Sequence, residues 1–463
     1  MRLGIIDIGY NAIRAVVHES NTIGAPEIFN NKFKNDILTL LAQEELDIKH
    51  QAYLSINYIL HIFTTLQVTE IKCVATAVLR DHPRSKVFIE FIKKKFNLTI
   101  EVISGEREAY LTAVGLISGV CDVNGVAADL GGGSLELIEI NNRLIGKLSS
   151  LALGTKIITT RKLQNLEDIA KIIREEYGNY QYENLYLIGG ALRFICRFFI
   201  EFNKYPLKNL HNLSISNDEF SLYLKSINEL QRNKIKLNSR TLNPNAIIVA
   251  QAMLEVFQPK NIIVSIFGLK EGVRYELLPE IEKNQDIVLQ KVIYCCQYEV
   301  GQTNFDKYYE IIEPLVEESN DLSQILKLAI ILQSLNKYFD QTLSPTAISE
   351  FILNSEIPFT HRQRLMIALI LSYSSNFKPD IELIKISKKL LCRQDFKNSQ
   401  ILGYFIRIAK DIDGFNFTEP SFNITLKNSY LEIITKDILP RPIFESICNK
   451  LKSIAYIRKI SSD

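Results

Sequence analysis

The chain has 463 residues, of which 47% are hydrophobic and 23% are charged, so it is long enough to bury more than one core. Its net charge of +2 gives no overall field that would recruit nucleic acid or a membrane surface. No stretch reaches the ~18 apolar residues of a membrane span, and Asp7 interrupts the first apolar run before a signal peptide could form. The seven scattered cysteines show no ligand or disulfide framework. These features predict a soluble, cytoplasmic protein.

The first 118 residues predict an alternation of strands and helices. Strands are expected up to Asp7, over 12–17, near 37–42, over 70–77 and over 99–103, and helices over 51–66, 84–96 and 106–118.

Residues 119–280 repeat a similar order of elements. Strands are expected over 125–130, 135–140, 143–152, 184–188 and 261–267, and helices over 154–163, 166–177, 191–203, 217–231, from Asn243 or Asn245 to Phe257, and from Gly268 onward. Strands followed by alternating helices and strands, twice over, indicate an α/β fold with a duplicated topology.

From about residue 281 the strand pattern gives way to helical periodicity up to about 412. The last 45 or so residues alternate again, which predicts strands over 422–426 and 430–434 together with a helix. The expected domains are therefore lobe I (1–118), lobe II (119–280), a helical domain (281–418) and a small α+β segment (419–463).

Two short stretches share one local pattern, DIGYN at 7–11 and DLGGGSLE at 129–136. In each, an apolar strand ends in an aspartate, a glycine-containing turn follows, and a second strand returns. Such a turn points backbone N–H groups outward and forms a concave site for phosphate oxygens. The neighbouring aspartate is suited to a hard cation that the phosphates also bind. Two copies predict two lobes that hold one phosphate chain in a cleft.

A third stretch, SGEREA at 104–109, follows the strand over 99–103. Ser104 is a candidate helix N-cap, which places Glu108 in the first turn, where the helix dipole favours its ionised form. Asp129 and Glu136 would raise the Glu108 pKa instead, so this carboxylate could accept a proton from an attacking water. Glu136 could help Asp129 hold magnesium, and Arg80 could donate two hydrogen bonds to phosphate.

Each motif also has a purely structural interpretation when it stands alone. DLGGGS is often only a tight hairpin, SGERE is more often a capped helix start, and an isolated arginine such as Arg80 is usually a solvated residue. Their order along the chain, each beside a strand end, favours a site.

Taken together, these stretches resemble the exopolyphosphatase and guanosine pentaphosphate phosphohydrolase (Ppx/GppA) phosphatases of the actin-like ATPase superfamily. The resemblance rests on DIGxN at 7–11, ATAVLR at 75–80, SGEREA at 104–109, DLGGGSLEL at 129–137, ALG at 152–154, GGALR at 189–193 and GLKEG at 268–272. It implies two ribonuclease H-like lobes around a cleft, Glu108 as the general base, and Asp129 with Glu136 as ligands of Mg²⁺ or Mn²⁺. Substrate-binding residues implied in this way are Asp7, Gly9, Asn11, Arg80, Gly131, Gly132, Gly133, Ser134, Gly189 and Gly190.

Several positions depart from the pattern of that family. Tyr10 and Ala12 stand where the family expects hydroxyl residues that would contact phosphate, and Leu135 and Ala191 replace threonines. The tyrosine could narrow the phosphate path. The helical part resembles a degenerate HD-type domain, because Gln333 and Ser334 stand where histidine and aspartate would bind metal, so no second hydrolytic site is expected.

Three functions fit the sequence. The leading hypothesis is a magnesium-dependent hydrolase that removes terminal phosphate from polyphosphate or the 5′ γ-phosphate from guanosine pentaphosphate, acting as a homodimer without nucleic acid or membrane partners. The altered Tyr10 and Ala12 favour a second, a regulator that binds such ligands with little turnover. A small-molecule kinase of the same superfamily is the third, although the Glu108 turn suits water as the nucleophile.

Overall fold

A computed structural model describes most of the chain, namely residues 1–34, 37–43, 49–163, 165–178, 180–230, 236–237, 240–296, 305–338, 344–375, 379–413, 422–427, 430–435, 445 and 456–462. The chain divides into two compact units, residues 1–287 and 288–463. The finer division into four domains stays a prediction. In the described residues, no helix is both long and apolar enough to cross a membrane.

The first unit begins with a five-stranded mixed sheet, which forms lobe I. Strands β1 to β5 are Arg2–Ile8, Ala12–His18, Glu27–Lys34, Val68–Ala75 and Glu101–Val102, and helices α1 to α5 are Ile37–Leu41, Gln51–Thr65, Ala77–Arg80, Ser85–Phe96 and Gly105–Gly119. The strand order is β3-β2-β1-β4-β5, with β1 antiparallel to β2 and parallel to β4.

Lobe II is built on a six-stranded sheet. Its strands are β6 Gly125–Leu130, β7 Leu135–Asn141, β8 Leu144–Leu151, β9 Asn184–Ile188, β10 Ser214–Ser216 and β13 Asn261–Val264, and β11 Lys236–Leu237 pairs separately with β12 Arg240–Thr241. Helices α6 to α12 are Thr155–Arg161, Leu166–Tyr177, Gly190–Phe202, Asn217–Leu230, Pro244–Phe257, Leu269–Leu277 and Glu280–Lys283.

The two sheets share one topology. The order β8-β7-β6-β9-β13 repeats the lobe I order β3-β2-β1-β4-β5, and β10 adds an antiparallel edge strand beside β13. The predicted duplication is therefore confirmed.

Helix α5 lies between the two sheets. Ala109, Ala113 and Leu116 pack against the lobe II sheet, whereas Leu111 packs with Leu3 and other residues of the lobe I sheet. Residues on opposite faces of one helix thus join both lobes, and the first turn of that helix carries Glu108.

The predicted strand near 37–42 is wrong. Residues Ile37–Leu41 form a short helix whose Ile37, Leu40 and Leu41 are buried, a spacing of three and four residues that suits a helical face. The third strand is instead Glu27–Lys34, an exposed strand that contains Asn30 and Asn31 and lacks clean alternation. The short strand β10 was not predicted, and the strands expected over 99–103 and 261–267 are shorter than expected.

The second unit is mainly helical, as the sequence predicts. Helices α13 to α19 are Ile287–Cys296 (which spans the boundary between the units), Phe305–Ile312, Asn320–Leu332, Ser344–Asn354, His361–Tyr373, Ile381–Leu390 and Arg393–Asp413. Helix α17 is almost wholly buried and packs against α15, α16, α18 and α19. Its Arg364 is buried and donates hydrogen bonds to backbone carbonyls of Ile352 and Ile357, which explains a charged residue in this core.

A three-stranded sheet completes the second unit. The predicted pair is present as β14 Phe422–Lys427 and β15 Tyr430–Thr435, and a third strand, β16 Tyr456–Ser462, runs parallel to β15. Apart from Glu445, the stretch between β15 and β16, where a helix was predicted, lies outside the described residues.

Candidate active site

The two glycine turns have the same geometry in both lobes. The Gly9 N–H donates to the Ala12 carbonyl at 3.0 Å, and the Gly131 N–H donates to the Ser134 carbonyl at 3.0 Å. Asp7 and Asp129 occupy the equivalent penultimate positions of β1 and β6. The Gly9 and Gly131 amides therefore close the turns, and their predicted contacts with phosphate stay predictions.

Asp129 and Glu136 form a directly opposed pair on the adjacent strands β6 and β7. Glu136 is 1% exposed, and its Oε1 accepts a hydrogen bond from Ser150 Oγ at 2.9 Å. Burial, reinforced by the Asp129 charge, raises the pKa of Glu136 to about 7. Burial likewise raises the pKa of Asp129, against the charge of Arg193. Opposed like charges weaken a sheet, so this pair is typical of a functional site.

Glu108 comes to this pair from helix α5. Ser104 caps the helix as predicted, because its Oγ accepts from the Arg107 N–H at 3.1 Å. The helix start lies against β8, since a Cβ added at Gly105 would lie 2.6 Å from the Ser150 Cβ. Burial and then the Glu136 charge raise the pKa of Glu108 well above its usual range. From the sequence, the helix dipole and the neighbouring charges were expected to set the pKa of Glu108, but burial has the largest effect on it.

Arg80 lies at the end of the short helix α3, directly after β4. Its Nη1 donates to Glu108 Oε2 at 3.0 Å and to the Ile103 carbonyl at 3.3 Å. This hydrogen bond opposes the effect of burial on the pKa of Glu108. The predicted contact between Arg80 and phosphate is untested, but the side chain does reach the site.

The start of helix α6 hydrogen-bonds to two backbone carbonyls of the loop 131–133. Gly131 and Gly132 accept from the backbone N–H groups of Thr155 and Lys156, at 3.0 and 2.9 Å. In a trans peptide the next N–H points away from the carbonyl, so the N–H groups of Gly132 and Gly133 face away from helix α6. Within the described part of the chain they donate no hydrogen bond, which suits the predicted phosphate contact.

The remaining predicted residues surround the same place. Gly189 has φ +78°, and a Cβ there would lie 2.5 Å from Asp129 Oδ1, so glycine is required on both counts. Gly190 begins helix α8 and has open space around it. Ser134 lies near Glu136 and partly offsets the raised pKa of that carboxyl, and the exposed Asn11 has its Nδ2 beside Gly132.

Asp7 is a second acidic residue from lobe I, after Glu108. Its Oδ1 is buried and has no hydrogen-bond partner among the described residues, although the residue as a whole keeps part of its surface exposed. Burial raises the pKa of Asp7 to about 6; Arg14, its cross-strand partner, opposes the shift and Asp129 adds to it. The charges of the two lobes therefore act on one another across the cleft.

Four residues near the carboxylates were not assigned by sequence. Arg14 pairs with Asp7 across β1 and β2, and Ser150 pairs with Glu136 across β7 and β8. Arg193 donates to the Gly189 and Ile266 carbonyls at 3.1 and 2.9 Å beside Asp129. Glu271 Oε2 accepts from the Gly268 N–H at 2.9 Å. Pairing the residues on either side of the first turn would have placed Arg14 opposite Asp7. Arg193 and Glu271 lie in the GGALR and GLKEG stretches.

These residues suit a magnesium ion held jointly by the protein and the substrate phosphates, and not one enclosed by protein ligands alone. The described residues contain no group of three or more His, Cys, Asp or Glu side chains arranged to hold a metal. Asp129 and Glu136 offer two carboxylates whose pKa values are raised chiefly by burial and, for Glu136, also by the Asp129 charge. Mg²⁺ typically takes one or two carboxylates together with water and substrate phosphates. The pair therefore suits such an ion.

The doubled sheet and the cleft define a protein of the actin-like ATPase fold class. The Ppx/GppA enzyme of Aquifex aeolicus has a TM-score of 0.51 at 20% identity and covers 59% of this chain and 98% of its own. An exopolyphosphatase of Cytophaga hutchinsonii has a TM-score of 0.53 at 20% identity, over 62% of this chain and 99% of its own. At such identities the likeness shows the fold.

The sequence places the chain in a family. Residues 13–281, more than half of the chain, match the Ppx/GppA phosphatase family, so the chain belongs to this family. The guanosine-5′-triphosphate,3′-diphosphate pyrophosphatase of Pseudoalteromonas translucida is 24% identical over 339 residues, which are 68% of this chain and 67% of that protein. The bifunctional 3-dehydroquinate synthase/phosphatase of Fusobacterium nucleatum is 26% identical over 293 residues, 56% of this chain but only 44% of that protein. That the helical domain is HD-like stays a prediction.

Proposed function

We propose that this protein is a magnesium-dependent phosphoanhydride hydrolase that acts on inorganic polyphosphate or guanosine pentaphosphate. One observation carries the proposal: Glu108, Asp129 and Glu136 come together in the cleft of a Ppx/GppA phosphatase fold. Burial raises the pKa of all three, and the neighbouring carboxylates raise those of Glu108 and Glu136 further. Such clustering of perturbed carboxyls is typical of catalytic sites.

Glu108 is the proposed general base. Its raised pKa makes it a stronger base than an ordinary carboxylate near neutral pH. Arg80 holds Oε2, which leaves Oε1 to accept a proton from the attacking water. Arg80 therefore positions the base and can also offer its remaining N–H groups to a phosphate oxygen.

Asp129 and Glu136 would hold Mg²⁺, or Mn²⁺ in its place. When bound, the ion neutralises phosphate oxygens and favours the leaving phosphate. The Ser150 hydroxyl fixes one oxygen of Glu136, and the outward N–H groups of Gly132 and Gly133 would stabilise charge on the transferred phosphate.

The two candidate substrates are taken from the activities of similar proteins. One curated relative is a guanosine-5′-triphosphate,3′-diphosphate pyrophosphatase and one structural relative is an exopolyphosphatase. Both substrates present a terminal phosphoanhydride to the same groups, so the site geometry alone is compatible with either.

A side-by-side assay of phosphate release tests the proposal. Purified full-length protein is given long-chain polyphosphate or guanosine pentaphosphate, each with magnesium or with excess chelator. We expect release from at least one substrate, and we expect the chelator to abolish it. No magnesium-dependent release from either substrate would reject the proposal.

A catalytically weak binding protein is the second candidate. It is favoured by the first turn, where Tyr10 and the buried Ala12 stand in place of the short hydroxyl side chains of the family pattern, and the Tyr10 ring contacts the second glycine turn. Losing a charge-assisted hydrogen bond typically costs ~1.5–3 kcal/mol. Retained binding of either ligand without turnover would favour this candidate.

A further inference from the structure

We propose that Lys156 is a phosphate-binding residue of this cleft and that the ring of Tyr10 positions it. The inference rests on the proposed function, because it assigns one more contact to the same anionic substrate. Neither residue belongs to the carboxylate group, and together they connect the two glycine turns.

Lys156 is fixed to the lobe II turn through its backbone. Its N–H donates to the Gly132 carbonyl, and the preceding Thr155 N–H donates to the Gly131 carbonyl. A Cβ at Gly154 would overlap the backbone of Gly133, so the start of α6 packs directly on the turn. The Lys156 side chain therefore begins beside the loop whose N–H groups are available for phosphate.

Tyr10 comes from the other lobe and meets the same loop. A Cβ added at Gly132 would lie 3.0 Å from the Tyr10 Cβ, and one at Gly133 would lie 3.3 Å from the Tyr10 Cδ2. The Lys156 ammonium lies 4.6 Å from the centroid of the Tyr10 ring. A cation from lobe II thus rests on an aromatic face from lobe I, between the two turns.

This resting contact is weak enough to be exchanged for a substrate. Lys156 is exposed, and a cation–π contact at an exposed site is among the weaker interactions of an ammonium group. A charge-assisted hydrogen bond to a phosphate oxygen is stronger. When a phosphate chain enters between the turns, the ammonium is expected to leave the ring for the phosphate, and the ring keeps it close while the cleft is empty.

This arrangement gives the Tyr10 ring a role, which is to hold the Lys156 ammonium beside the second turn. At this position the first turn lacks the short hydroxyl side chain that the family pattern expects, and the only hydroxyl of Tyr10 is at the far end of its ring. The ring instead holds a full positive charge at the cleft, which offers the phosphate a stronger partner than a hydroxyl.

The test is a binding measurement, so that its failure differs from a failure of the proposed hydrolysis. Inorganic tripolyphosphate is titrated by calorimetry into full-length protein carrying Glu108→Gln, which prevents turnover during the titration. Further substitutions in this background are Lys156→Gln, Tyr10→Phe and Tyr10→Ala. Lys171→Gln is the charge-matched control, because Lys171 is an exposed lysine of α7 whose near partner is Glu175.

We expect Lys156→Gln to raise the Kd for tripolyphosphate about tenfold or more, as for the loss of one charge-assisted bond. Tyr10→Phe keeps the ring and is expected to bind like the parent, whereas Tyr10→Ala is expected to weaken binding less than Lys156→Gln does. The salt dependence of the Kd should also become shallower in Lys156→Gln, because one fewer charge meets the anion.

An unchanged or lower Kd in Lys156→Gln would overturn the proposal, as would an equal increase in Lys171→Gln. Thermal unfolding of each variant checks that it is folded before titration. If the parent protein binds tripolyphosphate but never releases phosphate from any substrate, the hydrolytic function fails while the assignment of Lys156 can still be decided.

Discussion

At the scale of single residues, the buried carboxyls of the cleft destabilise the folded state. Asp129 and Glu136 face one another across two strands, and Asp7 adds a third carboxyl whose Oδ1 has no partner in the described residues. Like charges in this arrangement are unfavourable in water and more so when buried. The proposed cation and phosphate would offset this cost when they bind.

The pH dependence of stability provides a test at this scale. Burial and the Asp129 charge raise the pKa of Glu136 to about 7. The folded chain then holds the proton more tightly than the unfolded chain, so this residue stabilises the fold at acidic pH and loses that contribution as pH rises from about 4.5 towards 7. In metal-free buffer, we expect the free energy of unfolding of Glu136→Gln, relative to wild type, to increase by roughly 2–3 kcal/mol between pH 5 and pH 8.

Urea unfolding at the two pH values measures this difference. Ser150→Ala is a suitable control, because it removes the hydrogen bond to Glu136 but leaves the titrating group in place. Parallel pH dependences of wild type and Glu136→Gln would mean that Glu136 titrates normally in the fold.

Much of the site at this scale could be predicted from sequence. A turn that begins at Asp129 and returns through Glu136 places both side chains on one face of a sheet, so their proximity follows from strand geometry. The position of the Tyr10 ring could not be predicted in this way, because it depends on how lobe I meets the second turn and on Lys156 of a third segment.

At the scale of elements, close packing of two helices positions the base. Helix α5 carries Glu108 at its start and packs against α11, and both contact points are glycines. A Cβ at Gly272 would overlap the Leu111 carbonyl, and one at Gly115 would overlap the Gly268 carbonyl. The helices therefore approach as closely as backbone atoms allow.

Gly272→Ala tests this packing. The added methyl must push α5 and α11 apart, and we expect a loss of roughly 1–3 kcal/mol in the free energy of unfolding together with a clear loss of turnover as Glu108 moves. Gly146→Ala is the matched control, since its methyl would meet only side-chain atoms of Glu139, the nearest being Oε2 at 3.2 Å, and no backbone. Urea denaturation and phosphate release are measured on both, and equal stability of the two variants would contradict the account.

The sequence predicted most elements of the two lobes because their periodicity is strong. It failed where tertiary packing outweighed local pattern. Residues 37–41 are apolar enough to suggest a strand, but burial of a helical face of Ile37, Leu40 and Leu41 decides their structure. The strand Glu27–Lys34 is largely exposed with a polar centre at 30–32, and pairing with β2 defines it rather than a continuous hydrophobic pattern of its own.

At the scale of the whole molecule, all residues of the proposed site lie in one of the two compact units. Every candidate site residue lies within residues 1–287, and the family match ends at residue 281. The Aquifex aeolicus structure is covered almost completely (98%) by 59% of this chain. The sequence predicted the helical character of the rest, whereas the homodimer stays a prediction.

The central claim is that Glu108 activates water against a phosphoanhydride. The most direct measurement follows phosphate release in ¹⁸O-labelled water, with magnesium, for wild type and Glu108→Gln. We expect each phosphate released by wild type to carry one solvent oxygen, and the rate in Glu108→Gln to fall by about 100-fold or more, as for the loss of a general base. Transfer of phosphate to another acceptor without solvent oxygen, or undiminished release by Glu108→Gln, would contradict the claim.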